Sequence, residues 1–182
     1  LFPRIASDNE NLEFVSCKDA EALPEVIKET LLKIGIADVD TFDASLGGTK
    51  ENGWMNFVDA KSVDNWQILS PYHNKEVIGT QAINAFIQSS FRIPQPKTHR
   101  RTKNPLGIDG IRFGEKVINL QNQDRSTTAW AGSVWSREGL SMDACEKYLA
   151  NGEIGIVRGL REKGKNIHVV QFSSQVGYEY NF

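Results

Sequence analysis

The feature of this sequence that most limits its possible folds is the segment from Asn65 to Arg92. It begins with a compact apolar run, Trp66 to Ser70, which is typical of a buried strand and is followed by Pro71. Beyond a polar loop, Thr80 is placed to cap a helix. The apolar residues of that helix share one face: Ile83, Phe86, Ile87 and Phe91. A strand, a loop and a helix in this order form an α/β unit, which needs a parallel neighbouring strand to be stable.

The loop between this strand and this helix is a candidate binding site. Ligands of open α/β sheets bind beyond the carboxyl ends of the strands, and the free N–H groups of a helix N-terminus favour phosphate. Residues from Tyr72 to Lys75 lie in this loop, and Gly79 stands at its end. On the pattern alone, an ordinary surface loop is an equally good interpretation.

Upstream residues could supply part of a neighbouring α/β unit. The alternation of Leu12 and Phe14 with polar residues predicts a short strand from Asn11 to Ser16. Asp19 is expected to cap a helix that ends at Gly35. The apolar face of this helix consists of Leu23, Ile27, Leu31 and Ile34. Residues 36–64 show little periodicity, and we expect loop with short elements there.

The composition changes after Ile93, where three prolines accompany a run of basic residues. We expect an exposed basic linker, which contains Lys97, His99, Arg100, Arg101 and Lys103. Short strand candidates follow it: Lys116 to Leu120, Glu153 to Arg158, Ile167 to Phe172 and Tyr178 to Phe182. Between them we expect a helix from Ser141 to Ala150, ended by a turn at Asn151-Gly152. Short strands separated by turns suggest a small barrel or sandwich.

Motifs for catalysis are missing from the sequence. A phosphate-binding P-loop needs Gly-Lys-Ser/Thr at the start of a helix, but Gly47-Gly48-Thr49-Lys50 has the wrong order and Gly164-Lys165 is followed by Asn166. The histidines belong to no nucleophile-elbow or zinc-protease motif, and Cys17 and Cys145 lack zinc-site spacing. We therefore expect no metal site, and no ATP hydrolysis by this chain alone.

Charge and hydropathy limit the class of protein further. The net charge is -2 and the pI is about 6.0, whereas a dedicated DNA-coating protein is usually basic, so any nucleic-acid contact must come from a local patch. No apolar stretch approaches the roughly 20 residues of a membrane helix, and no signal peptide is recognisable. We expect a cytoplasmic protein without membrane contact. Because the first residue is Leu1 and a strand-like alternation reaches Phe182, we also expect a piece of a longer chain.

Several elements, in a fixed order, resemble one family. The segment from Gln67 to Asn84 is similar to the Leu-Ser-Pro … Gly … Leu-Asn segment of RecD-like superfamily-one helicases. Residues from Phe113 to Asn122 resemble that family's Gly-Asp-Lys-Val-Ile … Asn element. Residues from Tyr148 to Val157 resemble its Asn-Gly-Glu-x-Gly turn. Downstream, Phe172 to Gln175 and Tyr178 to Phe182 resemble the strands that lead back into the motor domain.

The resemblance spans about residues 11–182 and implies a fold class of α/β plus β. Residues 1–95 would form part of a second RecA-like motor domain, and residues 96–182 a small SH3-like β-barrel with an extra segment near residues 124–141. The implied parent is an ATP-dependent DNA helicase that binds ATP and Mg²⁺ elsewhere, so this chain needs no cofactor of its own. Two departures are that Ile83 replaces the usual Leu before Asn84, and that the Thr-x-His-Lys-x-Gln-Gly motif is missing.

The resemblance and the local charge also imply a path for single-stranded DNA. The nucleic-acid-binding residues that we predict are Ser70, Tyr72, His73, Lys75, Lys97, Arg100, Arg101, Lys103 and Lys116. Gly79, Asn151 and Gly152 are predicted to have structural roles in turns. The implied partners are single-stranded DNA, bound weakly by the isolated chain, and the remaining helicase domains of the same chain. Two alternatives stay open, a merely solvated basic linker and a protein-interaction module in which the barrel docks a partner.

Overall fold

A computed structural model of the chain describes residues 13–57, 60–93, 106, 110–124, 127–128, 143, 145–160 and 167–182. These residues form three α-helices and nine β-strands, joined by short 3-10 turns. The helices are α1 (Leu23–Lys33), α2 (Val39–Ser45) and α3 (Thr80–Phe91). The strands are β1 (Gly48–Glu51), β2 (Trp54–Phe57), β3 (Lys116–Ile118), β4 (Gln123–Asp124), β5 (Thr127–Thr128), β6 (Tyr148–Leu149), β7 (Ile154–Leu160), β8 (His168–Phe172) and β9 (Glu179–Asn181).

The strands form one larger sheet and two small ones. The five-stranded sheet has the order β3-β7-β8-β9-β5, and β1-β2 and β4-β6 are two-stranded. Within the described ranges every strand pair is antiparallel, and no sheet closes into a barrel. The fold is therefore mixed α/β.

The strand predicted from Trp66 to Ser70 is not formed, and this prediction was wrong. The segment is irregular, and Leu69 is 84% exposed. Trp66 and Ile68 pack against the core, which accounts for the apolar composition. The carbonyl of Trp66 accepts a hydrogen bond from the ammonium of Lys116 rather than from a neighbouring strand. Partial burial of two side chains thus suffices to produce the apolar pattern.

The amino-terminal predictions are confirmed in part. Residues 13–16 are irregular, so that part of the predicted first strand is absent. Asp19 caps as expected, but it caps a 3-10 turn (Ala20–Ala22) that leads directly into α1. Ile34 is 55% exposed, because α1 ends at Lys33 and Ile34 is already its C-cap.

Residues 36–64 contain more regular structure than expected. A capping box starts α2: the side chain of Asp38 accepts from the backbone N–H of Thr41, and the hydroxyl of Thr41 accepts from the backbone N–H of Asp38. After α2, a two-residue loop at Asn52-Gly53 joins β1 and β2 into a hairpin. Alternation on β2 buries Met55 and Phe57, which anchors the hairpin to the core.

The carboxyl-terminal strands appear close to their predicted positions, as β3, β7, β8 and β9. The predicted helix from Ser141 to Ala150 was wrong over its described carboxyl-terminal part. Residues 145–147 are irregular, and Tyr148–Leu149 form β6, which pairs with β4. Leu149 is fully buried in the core of the large sheet while Tyr148 is exposed. This alternation satisfies a strand and not a helix face.

Contacts cross the boundary predicted between residues 95 and 96. Phe57 packs against Phe113 with ring centroids 5.5 Å apart. From α3, the side-chain amide of Gln88 donates to the carbonyl of Gly110 (3.1 Å) and to the carboxylate of Glu115 (2.6 Å). The division into two domains stays a prediction, and α3 is in any case held firmly to the β-rich part.

Candidate nucleic-acid interface

The loop that precedes α3 is closed by hydrogen bonds around Ser70. The hydroxyl of Ser70 lies 2.6 Å from the carbonyl oxygen of Ile78, to which it donates. The Oγ atom of Ser70 also accepts a hydrogen bond from the backbone N–H of Tyr72 at 3.2 Å. Ser70 is half-buried. Its polar atom therefore holds the two ends of the loop together, and the structure gives it a positioning role.

The first N–H groups of α3 are occupied by the loop itself. The backbone N–H of Thr80 donates to the carbonyl of Tyr72 (2.9 Å), and that of Gln81 donates to the carbonyl of His73 (3.4 Å). These two donors were predicted to be free for phosphate, and they are not. The N-cap is Gly79 rather than Thr80. The hydroxyl of Thr80 instead meets Nδ1 of His73 at 2.9 Å.

Gly79 is required by the close approach of the loop backbone. A Cβ atom at this position would lie 2.6 Å from the carbonyl oxygens of both His73 and Lys75. The backbone N–H of Gly79 donates to that Lys75 carbonyl at 2.9 Å. Two residues earlier, Val77 has φ +68, which is rare for a β-branched residue. The loop is thus held in one compact conformation at some cost in backbone strain.

This compact loop presents Tyr72, His73 and Lys75 to solvent. Tyr72 is 43% exposed, and the ammonium of Lys75 lies 4.2 Å from the centroid of its ring. An aromatic face beside an exposed cation can stack on a base and neutralise a phosphate. Of the predicted nucleic-acid-binding residues, the structure brings these three together on the surface of the loop, with Ser70 hydrogen-bonded beneath Tyr72.

Lys116 does not join this group. Its ammonium donates to the carbonyl of Trp66 and lies 5.3 Å from the centroid of the Trp66 ring. Partial burial lowers its pKa, against the opposing field of Asp64. The residue ties β3 to the irregular segment from Trp66 to Ser70. Its position indicates a structural role, and this differs from the predicted one.

The basic run of Lys97, Arg100, Arg101 and Lys103 lies outside the described residues. Its predicted contact with nucleic acid stays a prediction.

Asn151 and Gly152 form the turn between β6 and β7. The backbone N–H of Gly152 donates to the carbonyl of Asn119 (2.8 Å), and that of Asn151 donates to Oδ1 of Asn122 (2.6 Å). The side-chain amide of the buried Asn119 in turn donates to the carbonyl of Ala150 at 2.8 Å. Two asparagines that sequence reasoning passed over therefore hold this turn. Asn119 lies in the element from Phe113 to Asn122 that carries the family resemblance, where it is a polar residue inside the apolar run from Val117 to Leu120.

A second arrangement that the sequence did not reveal is a buried ion pair between Arg92 and Asp43. Arg92 also donates to the carbonyl of Gly114, and its guanidinium carbon lies 4.6 Å from the centroid of the Phe42 ring. The interaction joins the end of α3 to α2 and to the turn before β3. No local pattern marks it, since its members are far apart in sequence.

An apolar groove of about 230 Å³ borders the loop. Leu23 and Ile27 of α1 form one side, and Leu69, Pro71 and Tyr72 contribute from the loop side. Its walls are almost entirely apolar, so the exposed face of Tyr72 continues into a surface suited to flat or apolar groups.

The comparisons with known proteins give no relative: no protein-family model, no curated protein and no solved structure matches the chain. Within the ranges that the structure describes, no helix has the length and apolar character needed to cross a membrane.

Proposed function

We propose that this chain is a non-catalytic part of a RecD-like, ATP-dependent DNA helicase and that its loop before α3 binds single-stranded DNA. The observation that carries the proposal is the exposed pair Tyr72 and Lys75 on a loop held rigid by Ser70 and Gly79. The ordered resemblance of three sequence elements supports the choice of family. The finer fold, a partial RecA-like domain followed by an SH3-like barrel, belongs to the same proposal.

The chemistry of the exposed pair suits a flexible polyanion. In the free chain the Lys75 ammonium rests 4.2 Å from the centroid of the Tyr72 ring, an interaction worth about 0.5–1 kcal/mol at an exposed site. A stacked base is worth about 1–3 kcal/mol. Replacing the Lys75 ammonium with a stacked base on the Tyr72 ring is therefore favourable. The displaced ammonium can then pair with a phosphate. The rigid loop keeps the entropic cost of this exchange low.

The ATP and Mg²⁺ of the proposed parent bind to its other motor half. The sequence has no Gly-Lys-Ser/Thr P-loop, so the role of this chain is to hold DNA and to contact the remaining helicase domains. We expect the isolated chain to bind single strands weakly and to hydrolyse no ATP.

A titration with fluorescently labelled oligothymidine at low and high salt tests the proposal. The decisive variant is Tyr72→Ala, and the matched control is Tyr148→Ala, because Tyr148 is similarly exposed (47%) on the β-rich part. We expect Tyr72→Ala to weaken binding about 5- to 100-fold, the equivalent of one stacked base. Lys75→Ala should reduce the salt dependence by about one phosphate contact. If the unmodified chain and the Tyr72→Ala variant bind oligothymidine with equal affinity, the DNA-binding role of the loop is refuted.

A second candidate function is a protein-interaction module, and exposed apolar side chains favour it. Ile118, Leu120 and Tyr148 are all exposed in the β-rich part of the chain. Small barrels bind proline-rich peptides through aromatic-lined surfaces. This alternative predicts no response to oligothymidine even at low salt, together with saturable binding of a proline-rich peptide that Tyr148→Ala abolishes. The two variants thus separate the two functions.

A further inference from the structure

The chain contains two Asn-Gly dipeptides, and both are exposed in turns. Asn52-Gly53 joins the paired strands β1 and β2, and Asn151-Gly152 joins β6 to β7. In such a dipeptide, the backbone nitrogen of the glycine can attack the side-chain amide carbon of the asparagine. Glycine favours this reaction because no Cβ hinders the approach. The two sites share their dipeptide and their exposure. A difference in their reactivity that disappears on unfolding must come from the surrounding fold.

Crowding around the glycine does not distinguish the sites. Both glycines have positive φ, +81 at Gly53 and +98 at Gly152. In both cases nothing lies within 4 Å of the position that a Cβ would occupy. The space around the Cβ position is therefore open at both sites.

The backbone nitrogens of the two glycines differ in their hydrogen bonds. The N–H of Gly152 donates to the carbonyl of Asn119 at 2.8 Å, and the preceding Asn151 N–H is held by Asn122. In the hairpin, Glu51 and Trp54 are the closing pair, and Gly53 lies between them in the two-residue loop. Among the hydrogen bonds of the described residues, none is donated by the Gly53 nitrogen. Within the described residues, the attacking nitrogen is thus hydrogen-bonded at Gly152 and donates no hydrogen bond at Gly53.

Two further features favour reaction at Asn52. The Asn52-Gly53 loop is the exposed tip of the hairpin, outside the buried part around Met55 and Phe57, and exposed loop tips open locally more readily than core strands. A solvent-open groove of about 340 Å³ lies against Asn52 and Trp54, so water reaches the site. We infer that Asn52 is a site of spontaneous deamidation in the folded protein and that Asn151, despite its identical neighbour, is protected.

The reaction consumes water and releases ammonia. The Gly53 nitrogen loses its proton to solvent and bonds to Cγ of Asn52, and the bond from Cγ to Nδ2 breaks as ammonia leaves with a proton from solvent. The product is a cyclic succinimide. Water then opens either carbonyl of the ring, giving aspartate or isoaspartate. Nothing is oxidised or reduced.

The two products have different effects on the hairpin. Aspartate suits the first position of an Asp-Gly hairpin turn and preserves the loop. Isoaspartate inserts an additional main-chain carbon, so the two-residue loop no longer fits the pairing of Glu51 with Trp54. Because Met55 and Phe57 on the same strand are buried, this product loosens the core.

The test is incubation of the whole folded chain in mildly alkaline buffer, followed by peptide mass spectrometry with isoaspartate detection. We expect a mass gain of about 1 Da at Asn52. Conversion at Asn151 should be about three- to tenfold slower, because its hydrogen bond must break first. In guanidinium chloride the two rates should agree to within about twofold, since neither hydrogen bond survives unfolding. Asn52→Gln should remove the fast reaction.

Two results would overturn the inference. One is equal conversion of Asn52 and Asn151 in the folded chain, which would show that the Asn119 hydrogen bond gives no protection. The other is a difference between the sites that persists unchanged in guanidinium chloride, which would assign it to neighbouring residues and not to the fold.

Discussion

The guanidinium of Arg92 donates to the carboxylate of Asp43, and both side chains are almost wholly buried. Arg92 follows α3 and Asp43 belongs to α2. The same guanidinium donates to the carbonyl of Gly114, which precedes β3. One side chain therefore fixes the end of the helix whose other end carries the candidate interface. The position of the loop relative to the β-rich part depends on this interaction.

Removal of one member of this ion pair should be strongly destabilising. Asp43→Ala leaves a buried guanidinium without its main counter-charge, a change that costs about 3–5 kcal/mol. The double variant Asp43→Ala/Arg92→Met should lose less than the sum of the two single variants. Urea unfolding measures each free energy. Glu25→Ala is the control, because the pair of Glu25 with Lys28 is exposed and should contribute under about 1 kcal/mol. Additive losses would contradict the coupling.

Gly79→Ala tests the close approach of backbone in the candidate interface. The added Cβ would lie 2.6 Å from two carbonyl oxygens, so the loop must shift. We expect a loss of about 1–3 kcal/mol, as for other overpacked sites. Thermal unfolding provides the measurement, with Gln81→Ala on the exposed side of the same helix turn as the control. If Gly79→Ala has the same melting temperature as the unmodified chain, the loop conformation is not the one described.

The capping box of α2 should make stability depend on pH. The hydrogen bonds that Asp38 accepts, first from the backbone of Thr41, lower the pKa of its carboxyl below the ordinary 3.8. The stabilisation by the carboxylate is therefore fully present above pH 3.8 and is lost as pH falls through the lower folded-state pKa. At neutral pH, Asp38→Ala should cost about 1 kcal/mol.

Denaturant unfolding at neutral and acidic pH checks this dependence. The free-energy gap between the parent and Asp38→Ala should narrow in acid. The gap between Asp38→Asn and Asp38→Ala should not change with the titration of residue 38, because neither replacement ionises. If the difference in unfolding free energy between the unmodified chain and Asp38→Ala stays constant down to strongly acidic pH, the Asp38 carboxylate does not stabilise α2 as a cap.

Tyr180 should resist ionisation. Its hydroxyl donates to the carbonyl of Glu146 at 2.6 Å, and burial is the main reason why its pKa is raised above 10.0. The unfolded chain ionises first, so the stability linked to Tyr180 is present below pH 10.0 and is lost as pH rises through the folded-state pKa. The difference in ultraviolet absorbance between the parent and Tyr180→Phe isolates this residue. A midpoint at the ordinary value would show that the hydroxyl is solvated.

Sequence patterns predicted elements whose burial is periodic. The apolar face of α3 was predicted correctly. Its four residues are buried or half-buried against the core: Ile83, Phe86, Ile87 and Phe91. The same logic failed for Trp66 to Ser70, because an apolar run reports burial and does not reveal whether a partner strand is present. It failed again near Leu149, whose strand exists through pairing with β4. Non-local partners decided both cases.

In the candidate site too, the sequence predicts what is local and does not predict contacts with distant residues. The loop before α3 and its exposed residues Tyr72 and Lys75 could be identified from local sequence. The hydrogen bonds from the first N–H groups of α3 to the loop carbonyls could not be predicted, because they depend on the backbone path around Gly79. Nor could the engagement of Lys116 with Trp66, because charge alone does not reveal whether a lysine faces solvent or the interior.

The strand order has a consequence for the time course of folding. In the five-stranded sheet, β9 pairs with β8 on one side and with β5 on the other. As the chain emerges from a ribosome, β5 has no partner in this sheet until residues 179–181 have been made. Contacts so distant in sequence slow folding, because a long loop must be ordered before they form. During that interval β5 lacks its partner strand and is open to other chains, so slow synthesis or crowding should promote aggregation at this strand.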